Sequence, residues 1–403
     1  MRMNLCRALL LTAALLAPLS VPAMAQSLVF DPHVDLPASA AAPEWSGGSD
    51  PASQFDVDRA RRGGLTAIGL ALFVPQGERT PAALVEARWG LLARHDAIVA
   101  IAKADPGRVE RAATPADVRR IVATGKLALV ETLLNAWPLG EDLDEIDRWH
   151  ARGVSIFGFV HAGNNQFADS SRPALPRGER PDENGGLSPL GRSAVKRLND
   201  LGVLIDASQL SDKAFDQLLS ASRAPVIASH SDVRALVDVS RNLSDAQLDA
   251  LKAKGGVIAI NAFSAYLRPD APATRDAIAA LQREFGASPG GNPALSGAQQ
   301  AEYTRRYYAI RAKEPKATLA ELANAIDYAV KRIGVDHVAI SSDFNHGGGV
   351  AGWADVGETA NVTAELRRRG YDDAAIAKLW GGNLLRAWQA AIDARDPAYR
   401  AAH

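Results

Sequence analysis

The chain of 403 residues has one cysteine, Cys6, and it falls within the first 25 residues. Past that stretch there is no thiol, which excludes disulfides and thiolate metal sites. A metal would have to rest on His, Asp, Glu or amide oxygens. A charge surplus is also missing. Lys and Arg number 45 and Asp and Glu 46, a formal net charge of -1. That argues against a nucleic-acid partner, which usually leaves a basic excess. No segment after the N-terminus is apolar enough to cross a membrane. Apolar residues as a class are abundant, at 47%, enough for the large core of one long domain.

The first residues read as a secretory signal. "MRMNLCR" carries two arginines, "ALLLTAALLAPLSV" is a short apolar core, and "PAMAQ" offers an Ala23-x-Ala25 cleavage site. The core is too short for a comfortable span. The expectation is a signal peptide over 1–25, cut after Ala25, and an exported, periplasmic chain over 26–403 that folds as a single domain. An uncleaved anchor is the alternative.

Eight apolar, β-branched runs recur: Leu28–Phe30, Leu65–Val74, Leu127–Val130, Val154–Val160, Val203–Ile205, Pro225–Ala228, Val257–Ile260 and Val338–Ile340. Near-continuous apolar runs are the mark of parallel strands buried on both faces. Helical patterns lie between them. Thr114-Pro115 opens one as cap and first residue, Ser244-x-x-Gln247 opens another as a capping box, and Ser211 a third. Eight alternations predict an α/β fold, a (β/α)8 TIM barrel. Asn164–Gly186 and Arg268–Lys316 stand out as long irregular insertions in its βα-loops.

Barrel enzymes carry their chemistry at the C-terminal ends of strands. The residues that close these runs are His33 and Asp35, then Glu131, His161, Asp206 with Gln209, His230, Asn261 and Asp343. Only the second run ends without an ionisable or amide group. In a strand, His33 and Asp35 project the same way. An isolated H-x-D means little, and each of the others has an ordinary structural reading. Seven separate accidents at one end of one fold are less plausible than one shared site. His95 and His150 sit in helical patterns and read as surface residues. His337 precedes the last strand and belongs to the opposite end. His346 follows Asp343 in a glycine-rich loop at the mouth, and His403 is terminal.

These motifs together resemble the membrane (renal) dipeptidase family, the M19 zinc dipeptidases built on amidohydrolase-like barrels. "DPHVDLP" looks like the family's D-G-H-N-D-L-P, and "FVHAGNNQFADSS" is similar to its T-H-x-x-N-x-x-A-D-S. "GGLSPLGRSAVKRLNDLGVLIDASQLSD", "APVIASHSDVRAL", "RNLSDAQL", "DHVAISSDF" and "GGNLLR" carry the likeness to the C-terminus. The resemblance implies two zinc ions. His33 and Asp35 would bind the first, Glu131 would bridge both, and His230 would bind the second. His161 would contact the scissile carbonyl, Arg241 the substrate's terminal carboxylate, with Asn261 beside it, and Asp343 would move protons. A homodimer is a further implication.

The chain departs from the family where the pattern D-x-S-H reads Asp206-Ala207-Ser208-Gln209. An amide oxygen is a weaker zinc donor than an imidazole, so the second metal site is expected to be the looser one. Asn345 stands where the family has a second aspartate, and "LVETLL" lacks the glycines that follow its bridging glutamate. The leading expectation is an exported dipeptidase in which a metal-activated water, its pKa lowered to about 7, attacks the peptide bond. A related hydrolase of N-acyl amino acids, β-lactams or lactones is the alternative. A non-catalytic, peptide-binding barrel with a degraded metal site is the third reading, favoured by Gln209 alone.

Overall fold

The apolar runs become strands. In the computed structural model, which describes residues 27–37, 40, 52–175, 178–286, 297–396 and 398, β1 spans Phe30–Asp35, β2 Ala67–Phe73, β3 Val109–Ala112 and β4 Leu127–Leu134. Then follow β5 Val154–Gly158, β6 Leu204–Asp206, β7 Val226–Ser231, β8 Val257–Asn261 and β9 Val338–Ser341. The expected signal segment and its cleavage site lie outside the described residues. Eight strands run parallel in the order β1-β2-β4-β5-β6-β7-β8-β9. The circle closes where Asp343 N donates to His33 O at 3.1 Å and Asp35 N to Phe344 O at 2.9 Å. This is the expected TIM barrel.

The apolar runs do not predict a ninth strand, β3. "VERA" is short and half charged, so it gives no apolar run. It pairs with the first half of β4, from Leu127 to Val130, while β5 pairs with the second half.

Side chains alternate between two layers, as strand geometry requires. The inner layer is one apolar cluster that includes Phe30, Ala67, Val130, Ile156, Leu204 and Val257. Leu384, Leu385, Ala387 and Trp388 of the helix Asn383–Asp393 join the same cluster. That helix therefore plugs the barrel beneath the strand starts. The outer layer, with Ile68, Leu70, Leu129, Leu133, Ile258 and Ile340, packs against the ring of helices.

The expected helix starts hold. The side chains of Thr114 and Ser211 accept from Asp117 N and Ala214 N. Ser244 and Gln247 form the reciprocal capping box. The second long insertion contains two helices, Pro272–Glu284 and Gly297–Arg311.

Candidate active site at the barrel mouth

Most of the expected residues meet at the C-terminal end. The rings of His33 and His230 stack, centroids 3.8 Å apart and 11° from parallel. His33 Nε2 lies 3.7 Å from Asp343 Oδ1, and Asn261 Nδ2 donates to Asp343 Oδ2 at 3.2 Å. His161 and His346 meet edge to face at 4.9 Å, and Phe73 covers His161 at 4.5 Å. Arg241 is buried. Its Nη2 donates to His230 O at 2.7 Å, and its guanidinium lies 5.3 Å from the centre of the Tyr266 ring.

Glu131 does not join them, which corrects the expectation of a bridging ligand. It has the right height, paired with Leu70 beside Val34, but the wrong face. Val130 lies in the inner cluster and Leu129 and Leu133 in the outer one, so Glu131 points outward by strand alternation. There it accepts from Arg111 Nε at 2.7 Å and meets His95 Nδ1 at 2.7 Å. His95 is therefore a half-buried partner of this ion pair rather than a free surface residue. The inward position falls to Thr132, whose buried hydroxyl has no hydrogen-bond partner.

Gln209 is the second correction. Its amide does not offer oxygen to the interior of the site. Oε1 accepts from Arg172 Nη2 at 2.7 Å, which turns Nε2 toward His230 Nε2 at 2.9 Å. The other face of that imidazole is fixed as well. Ser229 Oγ donates to Asp206 Oδ2 at 2.5 Å and so accepts from His230 Nδ1 at 2.8 Å. The proton on His230 is thus on Nδ1, and the lone pair of Nε2 is spent on the Gln209 amide. Burial, with His33 and Arg241 nearby, holds His230 well below its usual pKa and therefore neutral.

Arg172 arrives on the first long insertion. Ser171 N donates to Gln209 O at 2.8 Å, and Gly163 N to Arg172 O at 2.8 Å. These bonds hold the insertion over the end of β6, and Arg172 Nη2 comes 3.4 Å from His161 Nε2. Burial, with Arg172 beside it, pushes His161 far below its usual value, so it is neutral. His346 bonds Asp35 through Nδ1. Against the pull of burial, Asp35 raises His346 to about 9, an imidazolium at neutral pH. Burial raises the Asp343 carboxyl. Asn345 is structural: it accepts from Gln54 N at 2.8 Å and donates to Asp35 O at 2.9 Å.

These side chains do not fit the two-metal centre. The bridging carboxylate faces away, the His230 donor atom is taken, and one Asp35 oxygen is held by His346. Among the described residues no three His, Cys, Asp or Glu side chains are gathered as a metal-holding group. Arg172, Thr132 and Phe73 also line the mouth, without a signal in the sequence that marks them. Arg172 follows directly on the "FADSS" motif, but nothing in a loop sequence says where an arginine points.

The comparisons with known proteins agree with the fold. The membrane dipeptidase (peptidase family M19) model matches residues 21–400. The chain is 29% identical over 345 residues to the dipeptidase tcpJ of Claviceps purpurea, covering 84% of this chain and 69% of that one. Among solved structures it is similar to the probable dipeptidase PvdM of Pseudomonas aeruginosa, with a TM-score of 0.87 and 47% identity over 92% of this chain and 96% of that one. It is also similar to the M19 metallopeptidase dipeptidase AC, with a TM-score of 0.70 and 26% identity over 91% and 99%. Membership of a metallopeptidase family implies a metal cofactor, the implication from which the mouth departs. The chain belongs to the membrane dipeptidase family, peptidase family M19, and its class is that of the peptide-bond hydrolases.

Proposed function

We propose that the mouth receives a dipeptide-sized zwitterion and opens its amide bond. One observation carries this reading: buried donors of cationic side chains and buried acceptors of anionic ones are left without partners at the barrel mouth. Arg241 Nε and Arg172 Nε are buried donors without a partner, and Asp35 Oδ1 and Asp343 Oδ1 are buried acceptors without one. A free dipeptide offers the complement, a carboxylate at one end and an ammonium at the other. Arg241, with a guanidinium fork suited to a carboxylate, takes the C-terminus, and Asn261 orients Asp343 beside it. Arg172 and the neutral His161 face the scissile carbonyl and stabilise the charge that develops on its oxygen. Asp343 accepts a proton from the attacking water and returns it to the leaving amine.

Zinc chemistry is the finer mechanism that membership suggests, and no step here runs through it. The periplasmic location rests on residues 1–25 alone. Among the described residues no helix is long and apolar enough to cross a membrane. Homodimer formation remains a proposal from the resemblance.

The test is turnover of free and C-terminally amidated dipeptides, followed by separation of products. Free dipeptides are expected to be cleaved and amidated ones poorly, and Arg241→Lys should raise KM several-fold with a smaller change in kcat. Equal turnover of both forms removes Arg241 from this role. A second reading, in which the barrel holds the peptide without cutting it, is favoured by the locked Gln209–His230 pair. Binding of free dipeptides with no product over long incubation would select it.

A further inference from the structure

We propose that this mouth is built to work without a bound metal ion, with the Arg172 guanidinium standing where the second metal's positive charge would be. The inference rests on reading the mouth as the family's active site, and three independent placements carry it.

The first is Gln209. A glutamine that ligated a metal would turn Oε1 toward it. Here Oε1 is committed to Arg172 at 2.7 Å, and the amide NH2 donates into the only free lone pair of His230. A metal at His230 Nε2 would have to displace that donor and approach a fixed guanidinium. Arg172 cannot lose its proton to relieve the repulsion.

The second is the anchoring of Arg172. Its own N donates to Ser170 Oγ at 3.0 Å and its carbonyl accepts from Gly163 N. Ser170 pairs with Leu210 across a backbone bridge. The main chain of Arg172 is therefore fixed by the Ser170 hydroxyl and Gly163 N, and its guanidinium is placed at the end of β6 by the bond to Gln209 Oε1.

The third is the loss of bridging capacity. The inward β4 position is the hydroxyl of Thr132, while the carboxylate of Glu131 is enclosed by Arg111 and His95 on the outer face. Two cations 3–4 Å apart need a shared anion between them, and none faces inward from that strand. At the first position His346 holds one oxygen of Asp35; Asp35 Oδ1, Asp343 Oδ1 and His33 Nε2 are buried without a hydrogen-bond partner, yet among the described residues no three such side chains are gathered as a metal-holding group. Arg172 has both the charge and the place to take over, 3.4 Å from the His161 imidazole expected at the substrate carbonyl.

The experiment uses the full chain, purified without chelator and dialysed. Elemental analysis counts the metal per chain, and zinc and manganese are titrated by calorimetry. The expected result is substoichiometric metal with no tight, saturable isotherm. One or two tightly held ions per chain overturn the inference. Gln209→His combined with Arg172→Met frees His230 Nε2 and adds a second imidazole, and should create zinc binding that the parent lacks. If that variant does not fold, the parent's metal count still decides. A parallel titration with the dipeptide Ala-Ala, with and without chelator, separates the two claims. Metal-free protein that binds no dipeptide sinks the functional reading and leaves this inference standing. Chelator-insensitive dipeptide binding, weakened about tenfold in Arg172→Met, supports both.

Discussion

Gln209 and Asp343 have backbone φ angles of 74° and 58°, a region that costs a non-glycine residue about 1 kcal/mol or more. Both sit just past a strand end, where the left-handed turn redirects the chain across the mouth. The Asp343 turn also closes the barrel, because its N–H reaches His33 O. The side chain therefore has a place fixed by the fold and a free oxygen for chemistry. Asp343→Asn keeps the shape and the bond from the backbone. Hydrolysis should fall by about 10²- to 10⁴-fold while dipeptide affinity changes only a few-fold, as read by kinetics beside calorimetry. Retained turnover would make Asp343 a positioning residue. The sequence made Asp343, His33 and His230 visible because polar residues that follow buried strands are rarely idle. It did not reveal Arg172. A loop has no period, and the bonds that aim this arginine come from its own loop after β5 and from Gln209 just past the neighbouring β6, 37 residues on.

At the scale of elements, face matters more than height. Glu131 falls at the level of His33, and a run of apolar residues on either side gives no hint of which layer a given position joins. Only pairing with β2 and β5 settles it. Glu131→Gln should therefore destabilise the protein by roughly 2–4 kcal/mol, because Arg111 loses its buried counter-charge, and leave turnover per folded molecule unchanged. Denaturant titration with activity at low temperature measures both. Lost turnover at full stability would return Glu131 to the site. The β1–β2 pair carries a second constraint. β1 has a register shift between Asp31 and Val34, and its bulge brings Pro32 close to β2 at Gly69. A Cβ on Gly69 would lie 2.1 Å from Pro32 O. Gly69→Ala must push β1 away and carry His33 and Asp35 with it. Dipeptide affinity and stability should fall together, and a variant that lost neither would show that the bulge can relax without moving the mouth.

The whole molecule separates stability from chemistry along the barrel axis. Fold class was legible from the sequence because eight buried strands impose eight apolar runs, whereas β3 left no run and the "GGNLLR" motif did not say that its helix forms the floor of the barrel. That floor is the helix Asn383–Asp393, whose Leu384, Leu385 and Trp388 share one cluster with the strand starts. Asn383 ties it in place, donating to Val335 O at 2.6 Å and Val338 O at 2.8 Å. Trp388 is 1% exposed, so Trp388→Ala opens a cavity under the barrel and should cost roughly 3–5 kcal/mol. The mouth lies about 15–20 Å away, the length of a five- or six-residue strand. Sites so far apart, with no shared partners, are expected to contribute nearly independently. The variant should therefore unfold at lower urea concentration yet bind a dipeptide with the parent's affinity wherever it is still folded. Calorimetric titration at low temperature, set beside a urea melt, reads the two quantities separately. A fall in affinity that tracks the loss of stability would mean that the plug also sets the positions of the strand ends, and that the barrel transmits strain along its axis.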